Sequence, residues 1–317
     1  NLGELAMKKS LIALAVLGFA GAAMAQSSVT LYGVADAGVG KIKSQTYDPI
    51  TGTLGGNNDR SDKTEFISGS TMNNGTSRLG VRGTEDLGGG LSAIFNAEAH
   101  WGVDDGTGGS NGALNFQRRS FVGLQGRFGQ LYFGRDYTPS FYANLANDLF
   151  GFGLNGSTLG YTVGGFASLR YSNAVFYNSP TFGGVQIRAA YGKAGAANTE
   201  SYLAPKKRDT NADIAALYSA GPLQANVYYR RGYLNTPADV NVASAADPRR
   251  VQQYGGGVGY NFGPARLVAG VGSHKVDEPF ALASDKALFF NVGVGVRAGA
   301  GEVMAQFSQL KYKIGRA

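Results

Sequence analysis

The sequence predicts an all-β protein, namely a transmembrane antiparallel β-barrel, and three observations lead to that prediction. Segments of about ten residues with alternating polar and apolar side chains recur from Val29 onward. Very short connections alternate with long ones between these segments. Glycine, tyrosine and phenylalanine number 49, 17 and 18, against 9 prolines and 4 methionines. This composition is typical of a β wall rather than of a helical core.

The N-terminal region indicates export. Met7-Lys8-Lys9-Ser10 precedes an apolar run, and Ala23 to Ala25 supply an Ala-x-Ala cleavage site. We therefore expect a signal peptide over residues 7–25, an upstream artefact over residues 1–6 and a single barrel domain over 26–317. The apolar run is shorter than the stretch of about 20 residues that a spanning helix needs.

Thirteen strands follow from the alternation, each beginning or ending at a cluster of Gly, Asn, Asp or Pro. In order they are 28–42, 77–87, 90–102, 114–128, 130–137, 170–181, 184–193, 210–220, 222–234, 249–262, 264–276, 286–298 and 301–314.

The connections sort by length into two groups. The tight ones are 87–90, 129–130, 181–184, 221–222, 263–264 and 299–301, and the long ones are 43–76, 138–169, 194–209, 235–248 and 277–285. Short turns at one end and long polar loops at the other are the arrangement of single-chain outer-membrane barrels. A soluble β-sandwich also alternates, but its loops need not sort in this way.

In the predicted strand at 90–102, the alternation defines an apolar and a polar face but does not show which of them lies inside the barrel. One face carries Leu91, Ala93, Phe95, Ala97, Ala99 and Trp101, and the other carries Ser92, Asn96, Glu98 and His100. A soluble barrel would turn the apolar face inward, whereas a membrane barrel would turn it toward lipid. The period alone does not choose between them. Aromatic residues near strand ends, such as Trp101, Phe262 and Tyr312, are compatible with interfacial girdles.

The charge and the rare residues narrow the function classes. A net charge of +7 would favour nucleic acid as a partner in a cytosolic protein, but a signal peptide argues against it. The chain has no cysteine, and its histidines, His100 and His274, do not have metal-ligand spacing. We expect no cofactor, no metal and no catalytic residue, although an outer-membrane barrel enzyme remains a competing class.

Four strings decide the family resemblance. They are "MKKSLIALAVLGFAGAAMAQSSVTLYGVADAGV" (7–39), "SRLGVRGTEDLGGGLSAIFNAEAHW" (77–101), "FQRRSFVGLQGRFGQLYFGRDYTP" (116–139) and "LRYSNAVFYNSPTFGGVQIRAAYG" (169–192). Together they closely resemble the general porins of Gram-negative bacteria, particularly the neisserial and Burkholderia-like type. The resemblance implies a homotrimeric, 16-stranded barrel in the outer membrane, in contact with lipid and lipopolysaccharide. It also implies a water-filled channel for ions and small hydrophilic solutes, with a substrate-specific channel as the alternative.

The resemblance assigns 138–169 as the third long loop, folded inward to narrow the pore. Its stretch "PSFYANLANDLFGFG" (139–153) has a short helix-like beginning. The family's basic ladder across the pore falls here on Arg78, Arg118 and Arg170. Arg82 shares the face of Arg78 by period 2, and Arg135 is a further lumen candidate. Arg119 is expected to point away from Arg118 and is left out of the ladder.

The acids expected to face this ladder are few. Asp148 is the only acid between Pro139 and Leu169, and Asp36, Glu98 and Asp136 are the other plausible pore acids. Because selectivity follows the lining charge, an excess of arginine predicts a mild preference for anions.

The strand count departs from the family pattern. Bacterial single-chain barrels usually close with an even number of strands, and the chain stops at Lys313 to Ala317 without a terminal Phe. We expect that about three strands are missing at the C-terminus. The alternative is that strands were merged or missed.

Overall fold

The computed structural model describes residues 27–40, 46–47, 54–55, 65–68, 76–103, 105–108, 114–153, 158, 169–193, 210–234, 249–276 and 286–313. The expected signal peptide at 7–25 and the segment 1–6 lie outside these residues.

Within the described part of the chain, seventeen strands and one helix are present, in this order. The strands are β1 (Ser28–Val34), β2 (Ala37–Gly40), β3 (Thr46–Tyr47), β4 (Leu54–Gly55), β5 (Glu65–Ser68), β6 (Arg78–Gly88), β7 (Leu91–His100), β8 (Arg119–Gly126), β9 (Gly129–Tyr137), β10 (Arg170–Asn178), β11 (Val185–Lys193), β12 (Thr210–Ala220), β13 (Leu223–Leu234), β14 (Arg249–Asn261), β15 (Ala265–Val276), β16 (Lys286–Ala298) and β17 (Gly301–Lys313). The helix, α1 (Pro139–Ala146), lies between β9 and β10.

Thirteen of these strands form a single antiparallel sheet in which neighbours in sequence are neighbours in space. Its order is β1 followed by β6 to β17, and every ladder is antiparallel. Two small hairpin sheets, β2 with β5 and β3 with β4, lie in the long connection after β1. The predicted all-β, antiparallel class is confirmed, and each of the thirteen predicted segments supplies one strand of the sheet. Among the described residues no ladder joins β1 to β17.

Two predicted strands are about half as long in the structure. The segment predicted at 28–42 divides into β1 and β2, because the backbone N–H and C=O of Asp36 both bond the Ser77 hydroxyl at 2.8 Å instead of continuing the ladder. The strand predicted at 114–128 begins only at Arg119. Residues that read as one alternating run are therefore partly extended loop.

The sheet is polar inside and apolar outside. Large apolar side chains are exposed along its outer face, with Val122 at 64%, Val227 at 63% and Phe133 at 53%. The alternating positions are buried and many of them are polar, as at Asn96 and Gln253. A soluble barrel would have the reverse arrangement, so the structure decides for the membrane barrel. None of the helices in the described residues is long and apolar enough to cross a membrane.

Helix α1 folds into the interior from the end of β9. Thr138 caps it by accepting a bond from Phe141 N at 3.3 Å, and Pro139 occupies the first turn, where its missing N–H costs nothing. The helix packs against β12, β13 and β14 on the inner wall. The described part of the predicted inward loop, 138–153 with residues 158 and 169, contacts the inner wall at β12 to β14 and, through Leu149, at β17.

A glycine seat, formed by Gly257, Gly270 and Gly293 on three adjacent strands, lets the loop approach the wall closely. A Cβ atom at Gly257 would lie 2.3 Å from the Asn147 side chain, and one at Gly293 would lie 2.6 Å from Leu149. Any larger residue at these positions would occupy the space that the loop fills.

Candidate functional site: an arginine-rich inner wall

The centre of the site is a buried ion pair between Arg118 and Glu98. Arg118 Nε donates to Glu98 Oε1 at 2.7 Å, and Tyr32 Oη donates to Glu98 Oε2 at 2.8 Å. A terminal nitrogen of Arg118 also donates to the Tyr137 hydroxyl at 2.7 Å. That hydroxyl accepts a second bond from Arg170, whose guanidinium lies 4.0 Å from the Tyr137 ring centroid. Two of the predicted ladder arginines thus meet at one tyrosine.

Arg119 corrects the sequence-based interpretation, which placed it on the opposite face from Arg118. Its guanidinium donates two parallel bonds of 2.8 Å to the carboxylate of Asp136, which is fully buried and also accepts from the Tyr132 hydroxyl at 3.0 Å. Since β8 begins at Arg119, Arg118 precedes the ladder and strand alternation does not apply between the two. Both arginines therefore lie on the inner side.

Arg78 and Arg82 lie on the same inner face of β6, as expected. Leu79 between them is exposed on the outer face. Arg78 donates to the Thr76 carbonyl at 3.3 Å, and Arg82 lies 5.2 Å from the ring centroid of Tyr32 on β1. These contacts hold the side chains to the wall but do not neutralise their charge.

Arg135 lies apart from this cluster. It alternates with Asp136 along β9 and so leaves the strand on the same side as the exposed Phe133. Its guanidinium donates to the Gln117 carbonyl and to Ser172 Oγ, each at 2.5 Å. The structure does not bring Arg135 to the acids, and its role in the lumen stays a prediction.

The loop acid Asp148 does not face the ladder through a direct contact. One carboxylate oxygen accepts from the backbone and side chain of Thr158 at 2.5 and 2.7 Å, and the other accepts from Phe150 N at 2.8 Å. The following residue, Leu149, bonds Gln306 on β17, at the other end of the sheet. The hydrogen bonds of Asp148 thus stabilise the conformation of the loop itself. The other predicted pore acid, Asp36, is held in position by its backbone bonds to Ser77.

Sequence reasoning missed Asp213 as the anchor of the inward loop. Its buried carboxylate accepts from Ser140 N at 3.0 Å and from Ser140 Oγ at 2.5 Å, and it is the register partner of Arg230 on β13. The sequence pattern was sufficient to predict that Asp213 lies on the polar face of a strand. It was not sufficient to predict the contact with a loop residue 73 positions away.

Arg188 was missed as well. It lies on the inner face of β11, 4.1 Å from the ring centroid of Tyr142 on α1, and its Nε donates to Gln186 at 2.9 Å. Burial raises the pKa of Tyr142 to about 12, so its hydroxyl stays neutral beside the cation. The period-2 pattern through Gln186 and Arg188 was the available signal.

No cluster of three or more His, Cys, Asp or Glu side chains that could hold a metal ion is present in the described ranges. The arrangement can instead attract, orient and pass small charged solutes, because it consists of fixed guanidinium groups on the wall of a lumen.

Comparison with known proteins assigns the chain. A family model described as Gram-negative porin matches residues 10–317. Outer membrane porin protein 32 of Delftia acidovorans is 36% identical over 277 residues, which are 82% of this chain and 68% of that protein. An outer membrane porin protein of Bordetella pertussis is 39% identical over 193 residues, or 58% of this chain, and the match spans about half of that protein, 48%. The solved anion-selective porin from Comamonas acidovorans superposes with a TM-score of 0.67 at 28% identity, over 90% of this chain and 80% of that one. With 13 strands of the described residues in one antiparallel sheet and these matches, the chain belongs to the Gram-negative porin family.

Proposed function

We propose that this protein forms a water-filled channel in the outer membrane for ions and small hydrophilic solutes, with a mild preference for anions. Membership of the Gram-negative porin family supports the channel and its location. The similar Comamonas acidovorans protein is an anion-selective porin. The observation that carries the proposal is the excess of arginine over free acid on the inner wall.

Two acids of the wall are neutralised by arginines. Glu98 is paired with Arg118, and Asp136 with Arg119, at 2.7 and 2.8 Å. Four other arginines of the wall have no carboxylate partner. Within the described part of the chain, no carboxylate oxygen lies within 4.0 Å of a guanidinium nitrogen of Arg78, Arg82, Arg170 or Arg188.

This uncompensated charge determines the conduction mechanism. A hydrated anion entering the lumen meets several fixed cations held by tyrosine rings and backbone carbonyls, which lowers its electrostatic barrier. The same charges raise the barrier for a cation. The arginines do not trap the anion at one point, since they are spread over β6, β10 and β11.

A reversal-potential measurement tests the proposal. The protein is reconstituted in a planar bilayer between two KCl solutions of different concentration. We expect stepwise conductance and a reversal potential of the sign set by chloride. A reversal potential set by potassium would contradict the anion preference, and the absence of conductance steps would contradict the channel.

A liposome-swelling series separates a general sieve from a substrate-specific channel. A sieve passes neutral sugars at rates that fall smoothly with their size. One solute entering much faster than others of equal size would favour the substrate-specific alternative.

We also propose that the chain is a homotrimer that contacts lipid and lipopolysaccharide, and that it is not an enzyme. The relatives described above are named as porins. Chemical cross-linking of the protein in outer-membrane vesicles should give a trimer band, whereas a monomer alone would contradict the assembly. Lipase and peptidase assays of the purified protein should give no turnover.

A further inference from the structure

We propose that Tyr137 is a positioning residue that makes the ion selectivity of the pore depend on the position of the inward loop. Tyr137 is the last residue of β9 and lies opposite Arg170, the first residue of β10, where the long connection leaves and re-enters the sheet. A backbone bond of 3.0 Å from Thr138 N to the Leu169 carbonyl closes this base of the loop. The inference rests on the proposed channel and adds to it a link between the loop and the charge of the wall.

The hydroxyl of Tyr137 joins two cations. It accepts a bond of 2.7 Å from a terminal nitrogen of Arg118 and a second bond from a terminal nitrogen of Arg170. A hydroxyl oxygen has two acceptor lone pairs, so guanidinium groups occupy both of them. Because the two like charges repel each other, the shared oxygen opposes their separation.

Arg170 depends on this hydroxyl more than Arg118 does. Arg118 is also held by the buried carboxylate of Glu98, at 2.7 Å. Among the described residues, the side chain of Arg170 donates a hydrogen bond to Tyr137 alone, and its buried Nε has no partner. Loss of the hydroxyl should therefore release Arg170, while Arg118 stays paired with Glu98.

The ring of Tyr137 connects Arg170 to the loop. The guanidinium carbon of Arg170 lies 4.0 Å from the ring centroid, and the ring of Phe141 on α1 stacks on it with centroids 4.1 Å apart and planes at 23°. Two groups this close to one centroid cannot share a face, so the Tyr137 ring lies between them. Since closely packed groups transmit strain, a shift of Phe141 should reach Arg170.

Helix α1 extends this connection to other strands of the wall. Ser140, beside Phe141, donates to Asp213 on β12 through its backbone N and its hydroxyl. Asn147, directly after α1, lies against Gly257 in the glycine seat. Because a helix is a rigid element, a displacement at Asn147 should move Phe141 as well. The position of the loop is thereby transmitted through Tyr137 to the arginines.

Tyr137→Phe tests the hydroxyl, because this variant keeps the ring and every charge of the wall. The permeability ratio of chloride to potassium in a planar bilayer should fall to a value between those of the unmodified protein and Arg170→Gln. The reason is that a mobile charge lowers the anion barrier less than a fixed one. A merely structural role would lower the stability and leave this ratio unchanged. Tyr177→Phe is the matched control, since the Tyr177 hydroxyl bonds the Phe128 carbonyl, at 2.8 Å, and its loss should not change the ratio.

A double-mutant cycle with Gly257→Ala tests the link to the loop. Gly257→Ala alone should lower the permeability ratio, because the displaced loop moves Phe141 and loosens Arg170. In the Tyr137→Phe background it should have little further effect, since the connection is already broken. Phe141→Leu, which weakens the stack without changing the seat, takes the place of Gly257→Ala in the same cycle if that variant does not fold. Equal changes in the two backgrounds would overturn the inference.

Chemical modification of Arg170 tests the same link without requiring conduction. Phenylglyoxal modifies accessible guanidinium groups, and peptide mass spectrometry of the folded protein in detergent gives the rate at each arginine. The exposed Arg127 supplies the reference rate. The rate at Arg170 should rise in Tyr137→Phe and in Gly257→Ala, and it should stay unchanged in Tyr177→Phe.

The two readouts separate this inference from the proposed channel. If both variants leave the rate at Arg170 unchanged, the inference is overturned even when the channel conducts and prefers anions. A raised rate with an unchanged permeability ratio would overturn the role of Tyr137 in selectivity. A raised rate in a protein that gives no conductance steps would overturn the channel and leave the link between the loop and Arg170.

Discussion

The ion pair between Arg118 and Glu98 shows how single residues set the charge of the lumen. The exposed fractions of the two side chains are 10% and 6%, so each depends on the other for its solvation. Removing one partner of a buried pair leaves an uncompensated charge and is costly. The pair contributes no net charge while it is intact, although it holds Arg118 against Tyr137.

We expect Glu98→Gln and Arg118→Gln to shift selectivity in opposite directions. Glu98→Gln frees the charge of Arg118 and should increase the permeability ratio of chloride to potassium, whereas Arg118→Gln should decrease it. Each should lower the free energy of unfolding by about 3 kcal/mol, since a buried charge loses its partner. Reversal potentials and denaturant unfolding in detergent micelles measure the two effects.

The Arg266 and Glu302 pair provides the control. Its separation is also 2.7 Å, but its side chains are 41% and 30% exposed. Glu302→Gln should therefore change the free energy of unfolding by about 1 kcal/mol or less. Equal destabilisation by Glu302→Gln and Glu98→Gln would contradict the role of burial.

At the scale of elements, the inward loop is placed by the wall that it contacts. Asn147 exchanges two side-chain bonds with Asn226, of 3.2 and 2.8 Å, and its carbonyl accepts from Asn291 at 2.7 Å. These bonds hold the loop against the glycine seat. The width of the pore therefore depends on small residues in strands far along the chain from the loop.

Gly257→Ala should displace the loop, because the added methyl group would lie 2.3 Å from the Asn147 side chain. We expect a changed and noisier single-channel conductance. Gly259→Ala, two residues further along the same strand, is the matched control, since its nearest neighbours would be at 3.5 Å. The same conductance trace for both variants would show that the seat does not position the loop.

The outer face of β14 allows a test of whether the apolar side of the sheet contacts lipid. Tyr254, Val258 and Tyr260 are all exposed on that face, and the tyrosines flank the valine as residues at a membrane interface would. Val258→Arg should cost about 2 kcal/mol in a bilayer, because a charge on the lipid-facing side is poorly solvated.

Unfolding in lipid vesicles measures this cost. Gln224→Arg, on the polar face near a turn, should change the free energy of unfolding by only about 0.5 kcal/mol. If Val258→Arg were equally mild, the outer face would not contact lipid.

At the scale of the whole molecule, the local excess of arginine matters more than the net charge of +7. Fixed charges act on passing ions over the Debye length, which falls from about 10 Å at 0.1 M salt to about 3 Å at 1 M. We expect the permeability ratio of chloride to potassium to decrease toward unity as KCl rises over this range. A ratio that is independent of salt would indicate selection by size or by direct binding instead.

Most of the fold was predictable because strand alternation and turn residues are local signals. All thirteen segments appeared as strands of the sheet, and boundary errors occurred where a side chain replaced a ladder bond, as Ser77 does at Asp36. The site was less predictable. The period placed Arg78 and Arg82 on one common face, but it did not give the position of Arg119, because its strand begins at that residue.

The sequence by itself determined the strands, their alternation, the lengths of their connections and the positions of the arginines. Only the tertiary structure decided which face is inside, which arginines are neutralised, and where the loop lies. The physical reason is distance along the chain. The Arg118 to Glu98 pair joins residues 20 positions apart, and the Asn291 to Asn147 bond joins residues 144 apart. Such contacts exist only once the sheet has curved around the loop.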